Sequence, residues 1–198
     1  MRLPACDFGL EHAEELARTL LPPPAERWFH TAGVAESALQ LASTVPPEDR
    51  ELLVAAAWLH DVGYAGELHD TGFHPLDGAR YLDRMGWPLR LTSLVAHHSG
   101  ARFVAETRGL AAEMARYPVE ISPVSDALTY ADQTVGPHGR SFTVEQRMAE
   151  MLGRHGPSSP QARAHRARAP YLLGVAGRVR ARHVTTFVPR QRRAQGAQ

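Results

Sequence analysis

The stretch Leu52-Leu53-Val54-Ala55-Ala56-Ala57-Trp58-Leu59-His60-Asp61 runs an apolar segment straight into a histidine and an aspartate. A segment of that character belongs in a core, and an ionisable pair at its end needs a partner, because an unpaired buried charge is costly. A divalent cation is the partner that neutral imidazoles and a carboxylate favour together. Further side chains of the same kind stand on either side: His30 before the doublet, then His74, His97-His98 and Asp132 after it. Residues so far apart along the chain meet at one ion only if several helices converge. Where the helices lie therefore decides whether these residues can meet.

Almost every segment has helical periodicity, which predicts an all-α fold. Residues 10–21 form an amphipathic stretch that Pro22-Pro23-Pro24 must stop. A second helix is expected from Ala25 to about Ser43, with Val34, Ala38, Leu41 and Ala42 on its apolar side and His30 facing inward beside Val34. Pro47 suits the first turn of a third helix, Glu51 to Asp61, which Gly63 ends. The polar segment Gly63 to Phe73 reads as a loop, followed by helices over Leu76 to Met85 and Leu89 to His98. Residues 101–122 read as an insert with a helix over Phe103 to Tyr117; Pro123 to Gln133 carry Asp132. Thr143 is a suitable cap for a helix to Leu152, and Ala164 to His183 predict one last, interrupted helix. No run alternates as a strand would, and no internal repeat is visible. One domain over residues 1–187, its core about 25–152, and a disordered tail over 188–198 is the expected organisation.

Composition narrows the class. At 198 residues, 43% hydrophobic and 22% charged, the chain is ordinary globular protein. No apolar stretch approaches the roughly 18 residues that span a bilayer, and the opening residues have acidic groups where a secretory leader would be basic and then apolar. A cytoplasmic protein without a membrane partner is expected. The single cysteine, Cys6, excludes an internal disulfide framework and a cysteine-based zinc site. All 22 basic residues are arginine. They crowd the last third of the chain, including Arg163, Arg166, Arg168, Arg178, Arg180 and Arg182, where a solvated helix face is the reading preferred to a nucleic-acid contact: no aromatic platform or groove-reading motif accompanies them.

In order and in neighbouring words, His30, the doublet His60-Asp61 and Asp132 resemble the defining pattern of the HD superfamily of metal-dependent phosphohydrolases. The words are Arg27-Trp28-Phe29-His30, Ala56-Ala57-Trp58-Leu59-His60-Asp61-Val62-Gly63 and Tyr130-Ala131-Asp132. His74-Pro75 with Gly78-Ala79, and His97-His98-Ser99-Gly100, are similar to the two extra histidine motifs of the dinuclear branches. Those branches include cyclic-dinucleotide phosphodiesterases and hydrolases of symmetrical dinucleoside tetraphosphates. The resemblance covers roughly residues 25 to 152. Gly63-Tyr64-Ala65 departs from the Gly-Tyr-Pro word of the cyclic-dinucleotide branch, which counts against that substrate.

The resemblance implies a bundle of about five core helices around a metal centre. His30, His60, Asp61 and Asp132 would hold one divalent transition-metal ion, and Asp61 would bridge to a second held by His74 and His97. His98 is then a neighbouring or substrate-facing group. Mixed imidazole and carboxylate ligation suits iron or manganese, with zinc, cobalt or nickel as alternatives, better than magnesium. The implied reaction is hydrolysis of a phosphoester or phosphoanhydride of a small phosphorylated substrate, a nucleotide or dinucleotide foremost, by an activated water. Arg27, one helical turn before His30, and Arg102, just after the histidine pair, are the expected phosphate forks. Glu67, His69 or Asp70 in the loop is expected to give a proton to the leaving group, beside the catalytic Asp61. Arg147 reads as helix-face charge or a salt-bridge partner. The competing class is a non-catalytic binding or sensory module whose metal is structural and whose arginine-rich C-terminus contacts nucleic acid.

Overall fold

Ten helices form among residues 9–187, the part of the chain that the computed structural model describes. Cys6 and the expected tail over 188–198 lie outside the described residues. In chain order the helices are α1 (Leu10–Leu20), α2 (Glu26–Leu41), α3 (Arg50–Leu59), α4 (His74–Arg84), α5 (Leu89–His97), α6 (Ala101–Arg108), α7 (Ala111–Met114), α8 (Pro123–Thr134), α9 (Val144–His155) and α10 (Pro160–Phe187). Among the described residues no strand forms, only an isolated antiparallel bridge between Val135 and Ser141. The fold is all-α. No described helix is long and apolar enough to cross a membrane.

The apolar run from Leu52 to Leu59 lies in α3, at the centre of the fold. Leu53, Val54, Ala55, Ala56, Ala57 and Leu59 are all buried, because α1, α2, α5 and α8 pack round it. A helix apolar on every side has no face left for water. Two apolar clusters meet on it. One gathers Ala55 and Leu59 with Leu76, Leu82 and Val95 of α4 and α5; the other gathers Leu53, Ala56 and Ala57 with Val34, Leu128 and Val175 of α2, α8 and α10. The small alanines let the neighbouring helices come close to its C-terminal end, where His60 and Asp61 sit.

Several boundaries differ from the sequence reading for local reasons. The third helix stops at Leu59, and a short 3-10 turn over Val62–Tyr64 follows the doublet. The segment read as loop holds that turn and a second over Gly66–Leu68. The helix expected over Phe103 to Tyr117 is two, α6 and α7, because Gly109 adopts a left-handed φ of 73° that closes the first. The last helix is not interrupted. Its inward stripe of Ala164, Leu172, Val175, Ala176 and Val179 continues on both sides of Pro170, whose own side chain is exposed. Packing carries the helix across the hydrogen bond that proline removes. Ser122 and Thr143 each close a capping box at the start of α8 and α9, the second of them as expected.

One close approach positions the site. A Cβ on Gly63 would stand 2.1 Å from the His74 carbonyl oxygen and 2.6 Å from the Gly78 nitrogen. Only glycine lets the turn after the doublet touch the first turn of α4. The loop before α4 is fixed from the same helix: buried Asp77 accepts hydrogen bonds from the Thr71 amide at 2.9 Å and the Thr71 hydroxyl at 2.7 Å. Together these contacts hold His74, the first residue of α4, against Asp61.

Candidate metal centre

Five elements deliver six side chains to one point. α2 brings His30, the end of α3 brings His60 and Asp61, α4 brings His74, the break after α5 brings His98, and α8 brings Asp132. His30, His60, Asp61, His98 and Asp132 are almost completely buried, His74 less so. The atoms fall into two sets, His30-His60-Asp132 and Asp61-His74-His98, each with its ligand atoms within 4.8 Å of one another.

The tautomers follow from the backbone. His60 Nδ1 lies 2.7 Å from the Ala57 carbonyl oxygen, His98 Nδ1 lies 2.6 Å from that of Val95, and His30 Nδ1 lies 3.3 Å from that of Gly136. A carbonyl only accepts, so Nδ1 carries the proton, and in the neutral rings of His60 and His98 Nε2 keeps its lone pair. Nε2 of His30 and His60 are 3.4 Å apart, as are Nε2 of His74 and His98. Imidazole nitrogens this close need a proton or a cation between them. Asp132 Oδ1 stands 3.0 Å from His30 Nε2 and 3.8 Å from His60 Nε2. An ion about 2.0–2.2 Å from each ligand atom sets neighbouring ligand atoms about 3.0–3.5 Å apart, close to the spacing of this set, which could hold a metal ion.

Asp61 lies between the two sets. Its Oδ2 is 3.6 Å from both His30 Nε2 and His60 Nε2, while its Oδ1 is 3.2 Å from His74 Nε2 and 3.9 Å from His98 Nε2. One carboxylate thus offers an oxygen to each set. Arg27 donates to Oδ2 from α2 at 2.8 Å, and its guanidinium stacks on Tyr64, which stacks in turn on His74. Burial alone would raise the Asp61 carboxyl, but His60, Arg27 and the His74 hydrogen bond outweigh it and hold the group well below the usual carboxylate range. Asp132 behaves alike: burial is overcome by the hydrogen bond and charge of His30 and by the other histidines. Burial pushes His60 and His98 down and takes His74 down to about 4. At neutral pH the two carboxylates stand beside His60, His74 and His98 held as neutral imidazoles, the form in which these groups bind metal.

Of the histidine pair, the structure turns His98 and not the expected His97 toward the centre. His97 is the last residue of α5 and donates from Nε2 to the Tyr117 carbonyl at 2.8 Å. His98 already leaves the helix with a ψ of 151°, and Ser99 and Gly100 follow with φ of 53° and 65°. That left-handed pair reverses the chain and folds Ser99 back on Asp132. The Ser99 hydroxyl donates to Asp132 Oδ2 and accepts from Gln133 Nε2, which also donates to the same carboxylate oxygen at 3.2 Å. Neither Ser99 nor Gln133 stood out in the sequence.

A cavity of about 330 Å³ opens on this centre, and Arg27, His30, Asp61, His69, His74, His98 and Asp132 line it. Several expectations move. Arg102 points elsewhere, stacked on Phe103 and Tyr171 and lining a separate cleft with His97. Of the three loop acids and bases, His69 borders the cavity; Glu67 is exposed away from it, and Asp70 pairs with Arg80 at the surface. Arg147 does pair with Glu150, yet it is buried and lines the cavity as well. Arg168, read as part of a solvated face, is buried and donates from Nε to the Ser99 carbonyl at 2.7 Å. Both arginines were detectable. Arg147 falls in the stripe Val144, Met148, Met151, and Arg168 lies four residues from Ala164 and four from Leu172, so the apolar periodicity already turns each inward.

No curated protein and no solved structure matches the chain. Residues 27–135 match the HD domain family, a segment that begins with the arginine on Asp61 and closes just after Asp132. That match takes in more than half of the chain and every residue of the two sets, and by it the chain belongs to the HD domain family.

Proposed function

We propose that the protein is a metal-dependent phosphohydrolase that cleaves a phosphoester or phosphoanhydride of a small phosphorylated compound, a nucleotide or dinucleotide foremost. The observation that carries this reading is Asp61, with one oxygen facing His30 and His60 and the other facing His74 and His98. His30, His60 and Asp132 would hold one divalent ion, His74 and His98 a second, with Asp61 shared. Bound there, such ions supply acidity to a water and neutralise charge on phosphoryl oxygens; iron or manganese suits the donor set.

The chain's own groups do the rest. Arg27 fixes the direction of Asp61, and Ser99 and Gln133 fix that of Asp132, so both carboxylates are set before substrate arrives. His69, exposed and lining the cavity, would return a proton to the leaving oxygen. The reading of the C-terminus as a nucleic-acid contact loses three of its arginines to internal partners: Arg168 to Ser99, and Arg178 and Arg182 to Asp126.

The test is metal analysis of the purified protein, then assay of bis(p-nitrophenyl) phosphate and a panel of nucleotides with added manganese or reduced iron. Turnover that Asp61→Ala abolishes is expected. Stoichiometric metal with no hydrolysis of any phosphorylated compound would leave a binding module instead.

A further inference from the structure

The cavity has a cationic side that the centre does not use. Arg147 and Arg168, from α9 and α10, are 7% and 8% exposed and line it. Among the described residues no carboxylate pairs with Arg168, whose one hydrogen bond goes to the Ser99 carbonyl. Arg147 shares Glu150 with Arg154, which also lines the cavity, and the buried Arg147 Nε has no partner. Across the opening, Arg108 donates to the carbonyl oxygens of Thr71 and Gly72 and, among the described residues, meets no carboxylate. Of the cavity's own carboxylates, Asp61 is committed to the histidines and Arg27, and Asp132, committed to the histidines, acts on Arg168 by charge alone, without a direct ion pair. Guanidinium groups held this far from water and short of counter-charge call for an anion from outside. Arg147, Arg154 and Arg168 also lie beyond the matched residues 27–135, so this wall is added to the metal centre by the two C-terminal helices.

We propose that Arg147, Arg154 and Arg168 form an anion subsite beside the His/Asp centre, and that the substrate carries at least two phosphoryl groups. One sits at the centre and the next against the arginines. Planar guanidinium forks match phosphate oxygens, and a cavity of about 330 Å³ is at the small end for ligand sites, near 300–1,000 Å³, which suits a compact oligophosphate head. The inference rests on the phosphohydrolase reading for the first phosphoryl group.

Binding separates the two claims. Orthophosphate and the non-hydrolysable methylenebisphosphonate are titrated calorimetrically into the metal-loaded protein at one ionic strength and one buffered free Mn²⁺ concentration. The bisphosphonate is expected to bind at least about tenfold tighter, the effect of one charge-assisted hydrogen bond. Arg147→Gln and Arg168→Gln should each close most of that gap, while exposed Arg84→Gln keeps it. Should the two buried variants fail to fold, Arg154→Gln, whose side chain is 33% exposed, makes the same test. Equal affinities in the wild type, or a gap that survives in every folded variant of the wall, overturns the subsite whether or not anything is hydrolysed. An arginine-dependent gap without turnover of any phosphorylated compound supports the subsite and overturns the hydrolase reading.

Discussion

Adjacent residues on a helix diverge by about 100°, so His97 and His98 cannot both serve one ion from regular α-helix. The choice between them depends on where α5 ends. His98 lies past that end, with its Nδ1 donating to the Val95 carbonyl and its Nε2 3.4 Å from that of His74, whereas His97 is spent on Tyr117. The order of the ligand-type residues was legible in the sequence; the phase of the pair was not, because it is set by Ser99 taking a left-handed φ that no spacing rule announces. Metal content measured per chain by plasma emission after dialysis distinguishes the two. His98→Ala is expected to lose about one of two ions, or about 10- to 100-fold in affinity for the weaker one, and His97→Ala to keep both. Equal loss in the two variants would overturn the assignment.

The elements were legible to the extent that apolar period and punctuation determine them. Proline and glycine bound most helices, and the apolar run of α3 is core, as its composition predicts. Close approach between elements left no such trace. Gly63 reads as the stop of a helix, yet what demands glycine is the His74 carbonyl, 2.1 Å from where a Cβ would be. Arg147 and Arg168 occupy inward stripe positions, but an arginine in sequence signals charge before it signals phase. Gly63→Ala is accordingly expected to destabilise the fold by about 3 kcal/mol, the upper end for forced overpacking, since backbone must move. Gly66→Ala, with open space around its Cβ, should stay within about 0.5 kcal/mol. Urea midpoints at one pH make the comparison, and an unchanged midpoint for Gly63→Ala would show that the turn and α4 do not need this contact. Metal content should fall with the first variant alone, because His74 moves with α4.

At the scale of the molecule, the same burial that prepares the centre makes stability depend on pH. His74 titrates near 4 in the fold, pushed down mainly by burial, and burial lowers His60 and His98 too, while an unfolded histidine titrates near 6.5. Between about pH 4 and 6.5 the unfolded chain therefore binds more protons than the native one, and stability must rise with pH across that window. Seen the other way, a contribution fully present above about pH 6.5 is lost as the pH falls through it. For His74 alone this is on the order of 3 kcal/mol. Asp61 and Asp132, held below the usual carboxylate range, act in the same direction lower down: what they contribute is present above about pH 4 and lost beneath it. No opposing group in the centre compensates, since Arg27 keeps its charge throughout. The metal-free protein, stripped with chelator, should show a urea midpoint that falls steadily from pH 7.5 to pH 5, and His74→Gln should flatten part of that slope. Saturating manganese should raise the midpoint at pH 7.5 and lose that advantage toward pH 5, because protons and the ion compete for the same Nε2 lone pairs. A metal-free midpoint that is flat or rises on acidification would mean that these histidines are not held neutral, and the two-set centre would lose its electrostatic basis.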